Sequence, residues 1–196
     1  MKRQLTFSQY RSIDLGIFAA MLLIFEYIII AAATSWFPAQ PYTVSVVAAV
    51  TAIVMMRWGP WAAIHAVLGG AVFCFFSGAA PVHYLIYCVG NLAGLLPLLM
   101  LRFLGSERVR NDALLSLLFA LLTQLFMQLG RAGIALALGH TFDSCVAFVT
   151  TDALSALFTM VIIWIVRRLD GLFENQKTYL LRLDKEREKE RGETTS

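Results

Sequence analysis

The chain has 196 residues, 59% of them hydrophobic and 15% charged, with a formal net charge of +3. Soluble domains carry about 25% charged residues, so the composition excludes an ordinary water-soluble domain and points to one all-α integral membrane domain with the bilayer as its solvent. Charge is sparse over residues 12–101 and dense at the C-terminus, a segregation that bears on membrane orientation and gives no reason to expect a nucleic-acid partner.

Lys2, Arg3 and Arg11 precede the first apolar segment, 13–34. Ala31-Ala32-Ala33 imitates a signal cleavage site, but the segment is long enough to span and carries Glu26, which does not suit a signal core. It is read as a retained first helix. The second segment, 43–56, is short and runs through Arg57-Trp58-Gly59-Pro60, a turn signal, into the third, 58–77. The fourth, fifth and sixth cover 83–104, 113–138 and 144–167, with short connections rich in turn residues between them. Six transmembrane helices are therefore expected over residues 1–168.

Lys and Arg in the loops set the orientation. With the N-terminus inside, Arg57, Arg102, Arg108, Arg110 and every basic residue from Arg167 onward fall on the cytoplasmic side. Of the sixteen basic residues only Arg131 does not. Both termini are expected in the cytoplasm of a cell bounded by this membrane. In the tail, 169–196, Leu169, Leu172, Phe173, Leu180 and Leu183 recur at helical spacing between charged residues. They predict an amphipathic C-terminal helix on the inner membrane surface or against a partner, followed by a solvated charge run.

Ionisable groups inside a bilayer are costly and mark function by default. Glu26, Arg131 and Asp152 all lie ~12–14 Å below the outer surface at 1.5 Å of rise per residue, and Asn91 falls at the same level. Gln124, Gln128 and Arg131 share one face of the fifth helix, and Asp152, Ser155 and Thr159 one face of the sixth. Neither stripe can face lipid, so the two are expected to face each other. A buried ion pair that only fixes packing is the competing reading, but the additional Asn91 and Gln128 favour a ligand-binding cluster. Trp36, Phe37, Tyr42, His83, Tyr84, Tyr87 and Phe142 lie at the outer interface. There Trp and Tyr serve as membrane anchors, but Trp36, Tyr42, His83 and Tyr84 could also roof a pocket for a planar polar molecule.

Nothing in the sequence composes a catalytic centre: there is no GxSxG, no HExxH and no phosphate loop. His65, His83 and His140 are scattered, Cys74, Cys88 and Cys145 are isolated small packing residues, and no metal or other cofactor is expected. Gly69-Gly70 and Gly90 suit close helix packing, and Gly16, Ala19 and Ala20 form a small-residue face on the first helix, about 100° from Glu26.

Size, six helices with both ends inside, the Gly16-Ile17-Phe18-Ala19-Ala20 stretch, and the Arg57-Trp58-Gly59-Pro60 turn followed by Gly69-Gly70 resemble the substrate-binding S component of energy-coupling factor (ECF) transporters. The resemblance spans 12–168. In that family the first helix carries an Ala-xxx-Ala face that docks on the coupling subunit. Here Gly16 replaces the first Ala. The resemblance implies a non-enzymatic subunit of the bacterial cytoplasmic membrane that captures a vitamin-like organic micronutrient from outside. Its partners would be one coupling-transmembrane subunit and two ATPase subunits, with Gly16, Ala19 and Ala20 at the coupling contact. Glu26, Arg131 and Asp152 would supply charge to the substrate, Asn91 and Gln128 hydrogen bonds, and the aromatics stacking. Two acidic groups and one basic group admit zwitterionic or cationic ligands, and the Met1-Lys2-Arg3 start lacks the N-terminal His of metal-binding members. A membrane scaffold of the rod-shape-determining MreD type, similar in fold, is the alternative.

Overall fold

A computed structural model describes residues 6–36 and 44–193. Every regular element among the described residues is helical, as expected where backbone groups must be satisfied without water. Five stretches are long and apolar enough to cross a membrane: Phe7–Trp36, Val47–Phe76, Pro81–Leu104, Ala113–Ala137 and Phe142–Val166. The count by length is five, against the six segments expected, because the second and third segments join without a loop.

α1 (Phe7–Trp36) is unbroken and buries a single stripe, Asp14, Leu15, Phe18, Leu22, Glu26 and Ile30. The three-to-four-residue spacing puts these on one face, and Ile17, Ile24, Tyr27 and Ile28 are left exposed on the other.

The second stretch is a hairpin. α2 (Val47–Trp58) passes through a 3-10 turn at Gly59–Ala62 into α3 (Ala63–Phe76). In one straight helix Val47 and Gly69 would lie about 33 Å apart. Instead a Cβ placed on Gly69 would sit 2.7 Å from Cγ2 of Val47, so the chain has reversed. The reversal occurs at Gly59, where φ 60 and ψ −124 favour a residue without a Cβ, and Pro60 starts the turn. α2 is 12 residues long, roughly 18 Å, and all twelve are buried, enclosed by α1, α3, α7 and α9.

Two other stretches are interrupted. α4 (Pro81–Gly90) tightens into a 3-10 turn at Asn91–Leu95 before α5 (Leu98–Leu104), with Pro97 withholding an N–H at the join. α8 (Phe142–Thr150) and α9 (Ala153–Val166) are separated at Thr151 and Asp152. Between these lie the short α6 (Ser106–Asn111) and α7 (Ala113–Ala137), the latter capped by Asp112, whose carboxylate accepts the N–H groups of Leu114 and Leu115. α7 is the hub of the bundle and packs against α2, α4, the Asn91–Leu95 turn, α8 and α9.

The expected amphipathic helix does not begin at Leu169. Residues 169–175 form turns, and α10 starts only at Gln176 (Gln176–Glu193), where polar residues surround the helix and leave it no apolar face, so it is not the amphipathic helix expected. Gly171 adopts φ 69, which ends any continuing helix, and the Gly171 and Leu172 carbonyls accept from Arg57 instead. Phe173, assigned to an apolar surface stripe by its spacing, is fully buried against Phe119 with ring centroids 6.4 Å apart. The apolar spacing therefore served partly to cover the bundle core.

Candidate functional site

The ionisable residues singled out by depth converge. Glu26 and Asn91 are 0% exposed, and Gln128, Arg131 and Asp152 are each 4% exposed. Arg131 on α7 donates from Nη1 to Oδ2 of Asp152 at 2.7 Å and from Nε to Oδ1 of Asn91 at 2.7 Å. Its guanidinium lies 4.5 Å from the centre of the Tyr87 ring, a favourable cation–π placement. Asn91 in turn donates from Nδ2 to the Ala66 carbonyl of α3 at 2.9 Å.

Backbone features place these groups. Gly90 lets α4 press against α7: a Cβ there would meet Cα and N of Arg131, each at 2.6 Å. This contact sets Asn91 beside Arg131. Asn91 opens a 3-10 turn and Asp152 precedes α9, so both occupy helix interruptions. Non-helical backbone in an apolar helical bundle survives where protein surrounds it.

From Asp152 the network continues to α2 and α1. Ser155 donates to Oδ1 of Asp152 at 3.2 Å, and Gln124 reaches Oδ2 at 3.5 Å. The Ser155 hydroxyl accepts the Ser45 N–H at 3.0 Å. Next to it, Oε2 of Glu26 accepts the Val46 N–H at 3.0 Å, and the Ser45 hydroxyl accepts the Val47 N–H at 3.2 Å. The N–H groups of Ser45, Val46 and Val47, at the entry to α2, are thus taken by side chains, and the Glu26 carboxylate lies at the positive end of the helix dipole.

Among the described residues, buried side-chain atoms without a hydrogen-bond partner include Oε1 of Glu26 and Nε2 of Gln128, the hydroxyls of Thr51 and Thr159, and, away from the network, Nδ1 of His65 and Nε of Arg167. Each orphan costs about 1–3 kcal/mol when nothing satisfies it, so each calls for an explanation.

The aromatic roof is only partly assembled in this arrangement. Trp36 is 75% exposed. His83 is half-buried and faces His140, ring centroids 6.5 Å apart, while Tyr84 is half-buried with no hydrogen bond to the network. Tyr42 lies outside the described residues. Among the described residues, the aromatic that touches the charged cluster is Tyr87, one turn above Asn91. Gly16 and Ala20 are exposed and Ala19 half-buried, and nothing lies within 4 Å of a Cβ position on Gly16. Among the described residues no three His, Cys, Asp or Glu side chains group as a metal site.

A second buried ionic cluster lies at the other end of α2, and sequence reasoning overlooked its acid. Arg57 binds Asp14 in a fork, Nε to Oδ2 at 2.9 Å and Nη2 to Oδ1 at 2.6 Å. The Trp58 indole donates to Oδ2 at 2.5 Å. Nη1 of Arg57 holds the Gly171 and Leu172 carbonyls, and Tyr10 donates to Gln176 at 3.1 Å. Asp14 and Glu26 stand on the same stripe of α1, about 18 Å apart at 1.5 Å per residue, close to the length of α2. A pair of acids on one face at that spacing was the available signal.

Beyond that cluster, Arg110 is in direct contact with Glu174, and Arg182 reaches Asp170 at 2.9 Å. These pairs hold the start of α10 to α6 and remain partly exposed, so each contributes at most about 1 kcal/mol.

No protein-family model matches the chain, and neither the curated proteins nor the solved structures contain a significant match to it.

Proposed function

We propose that this chain is the substrate-binding membrane subunit of an ECF-type importer, capturing a vitamin-like organic micronutrient from outside a bacterial cytoplasmic membrane. The observation that carries the reading is the buried network of Glu26, Asn91, Arg131 and Asp152, with orphan polar atoms beside it. A pair kept only for packing has no need of unsatisfied neighbours. Buried ionisable groups within spans mark substrate paths. In this reading the two legs of the α2–α3 hairpin are separate crossings, giving six, with both termini cytoplasmic. The basic residues near Arg57 and α6 then lie inside and the network in the outer half. Substrate would contact Glu26, Asn91, Gln128, Arg131 and Asp152, beneath Trp36, Tyr42, His83 and Tyr84.

The exposed Gly16–Ala20 face supports docking of another helix, because small residues allow close approach in lipid. ATP would be hydrolysed by the partner ATPases. Affinity purification from native membranes tests this: a coupling subunit and two ATPases should co-purify, and Gly16→Leu should lose them. Recovery of cell-shape proteins with no ATPase would replace this reading by the MreD-type scaffold.

A further inference from the structure

The polar atoms that surround the network are unequal in what they offer a ligand. Arg131 is charge-paired: Asp152 sits 2.7 Å from it, Asn91 takes its Nε, and Tyr87 covers its face. Among the described residues no opposite charge is in contact with Glu26. Its carboxylate takes the Val46 backbone N–H at Oε2 and a hydrogen bond from the Ser45 side chain, while its Oε1 has no partner among the described residues although the residue is 0% exposed. Capping α2 therefore accounts for one carboxylate oxygen and leaves the other unexplained. Burying a carboxylate costs several kcal/mol unless opposite charge or donors reach it. The other unsatisfied amide, Nε2 of Gln128, is a donor and calls for an acceptor.

Resting on the uptake reading above, we propose that the ligand is a small organic molecule whose cationic or N–H-donating nitrogen meets Oε1 of Glu26, with an acceptor on the same molecule meeting Gln128, and that molecules presenting a carboxylate are rejected. A ligand carboxylate would face an uncompensated acid and find the buried guanidinium already neutralised by Asp152.

Glu26→Gln isolates the claim. The Gln carbonyl can still accept the Val46 N–H and cap α2, which leaves an NH2 donor where the ligand needs an acceptor. Wild type and Glu26→Gln, each in lipid nanodiscs, would be incubated with an equimolar mixture of thiamine (cationic, with an aminopyrimidine), riboflavin (neutral, with a ring N–H) and biotin (anionic). Retained molecules are then identified by mass spectrometry and their affinities measured by calorimetry. The expected result is retention of thiamine or riboflavin with at least a tenfold loss of affinity in Glu26→Gln, while the ligand-free melting temperature changes little. Retention of biotin, or undiminished affinity in the variant, overturns the proposal and leaves the uptake reading standing. Retention of none of the three overturns the proposal, and the uptake reading is then decided separately by whether the ATPase module co-purifies.

Discussion

Asp152→Ala is the most informative single perturbation of the network. It removes the one carboxylate that contacts Arg131 among the described residues, and Arg131 is itself 4% exposed. It also deprives Ser155 and Gln124 of an acceptor. Breaking one side of a buried pair costs about 3–5 kcal/mol, since the surviving charge stays buried. For a chain of this size each kcal/mol moves the melting temperature by about 2–4 °C, so the expected drop is about 6–20 °C. The assay is built into the protein: Cys74 and Cys145 are buried free thiols, and a thiol-reactive dye reports their exposure as detergent-solubilised protein unfolds. The double variant Arg131→Met with Asp152→Leu removes both charges and should recover most of the loss, because apolar replacement of a buried pair is often neutral. A fall of less than about 2 °C in Asp152→Ala, or a double variant no more stable than the single one, would refute the claim that the pair is desolvated and mutually dependent.

Other substitutions probe the supports of the site. Gly90→Ala would drive a Cβ to 2.6 Å from the Arg131 backbone, and overpacking of this kind costs about 1–3 kcal/mol. Thermal melts should show that loss, whereas Gly16→Ala, which meets nothing within 4 Å, should be neutral or gain up to about 1 kcal/mol in helix propensity. Arg57→Ala leaves Asp14 buried beside Trp58 alone and releases the Gly171 and Leu172 carbonyls. Limited trypsin digestion should then cut faster after Arg167 and Arg168, and Trp58 fluorescence should shift to the red.

The all-helical fold with its long apolar helices and the convergence of Glu26, Asn91, Arg131 and Asp152 were legible because both follow from simple arithmetic. Apolar length reports a span, and rise per residue reports depth. The fate of α2 was not legible. Its sequence is apolar on all sides, which in a membrane protein describes a helix among lipids as well as one enclosed by other helices. Only Ala48, Ala49 and Ala52, small enough for close approach, hinted at enclosure. Residues 169–175 depart from their local pattern for a related reason. Leu172 and Phe173 fit a helical period, but Gly171 and the donors of Arg57 override that local pattern through contacts more than a hundred residues away in sequence. Tyr87 was recognised as an interfacial aromatic. Its place over Arg131 depends on the α4–α7 contact at Gly90, which no local signal reveals.

The central claim is that the buried network holds a substrate, and the most direct measurement is the small-molecule content of the protein purified from its native host. Mass spectrometry should find one organic molecule at near-stoichiometric amount in the wild type. In Arg131→Lys, which keeps a charge opposite Asp152 but loses the guanidinium fork to Asn91, that molecule should be lost or strongly reduced. A wild-type protein carrying no small molecule, or one retained equally by Arg131→Lys, would contradict the account.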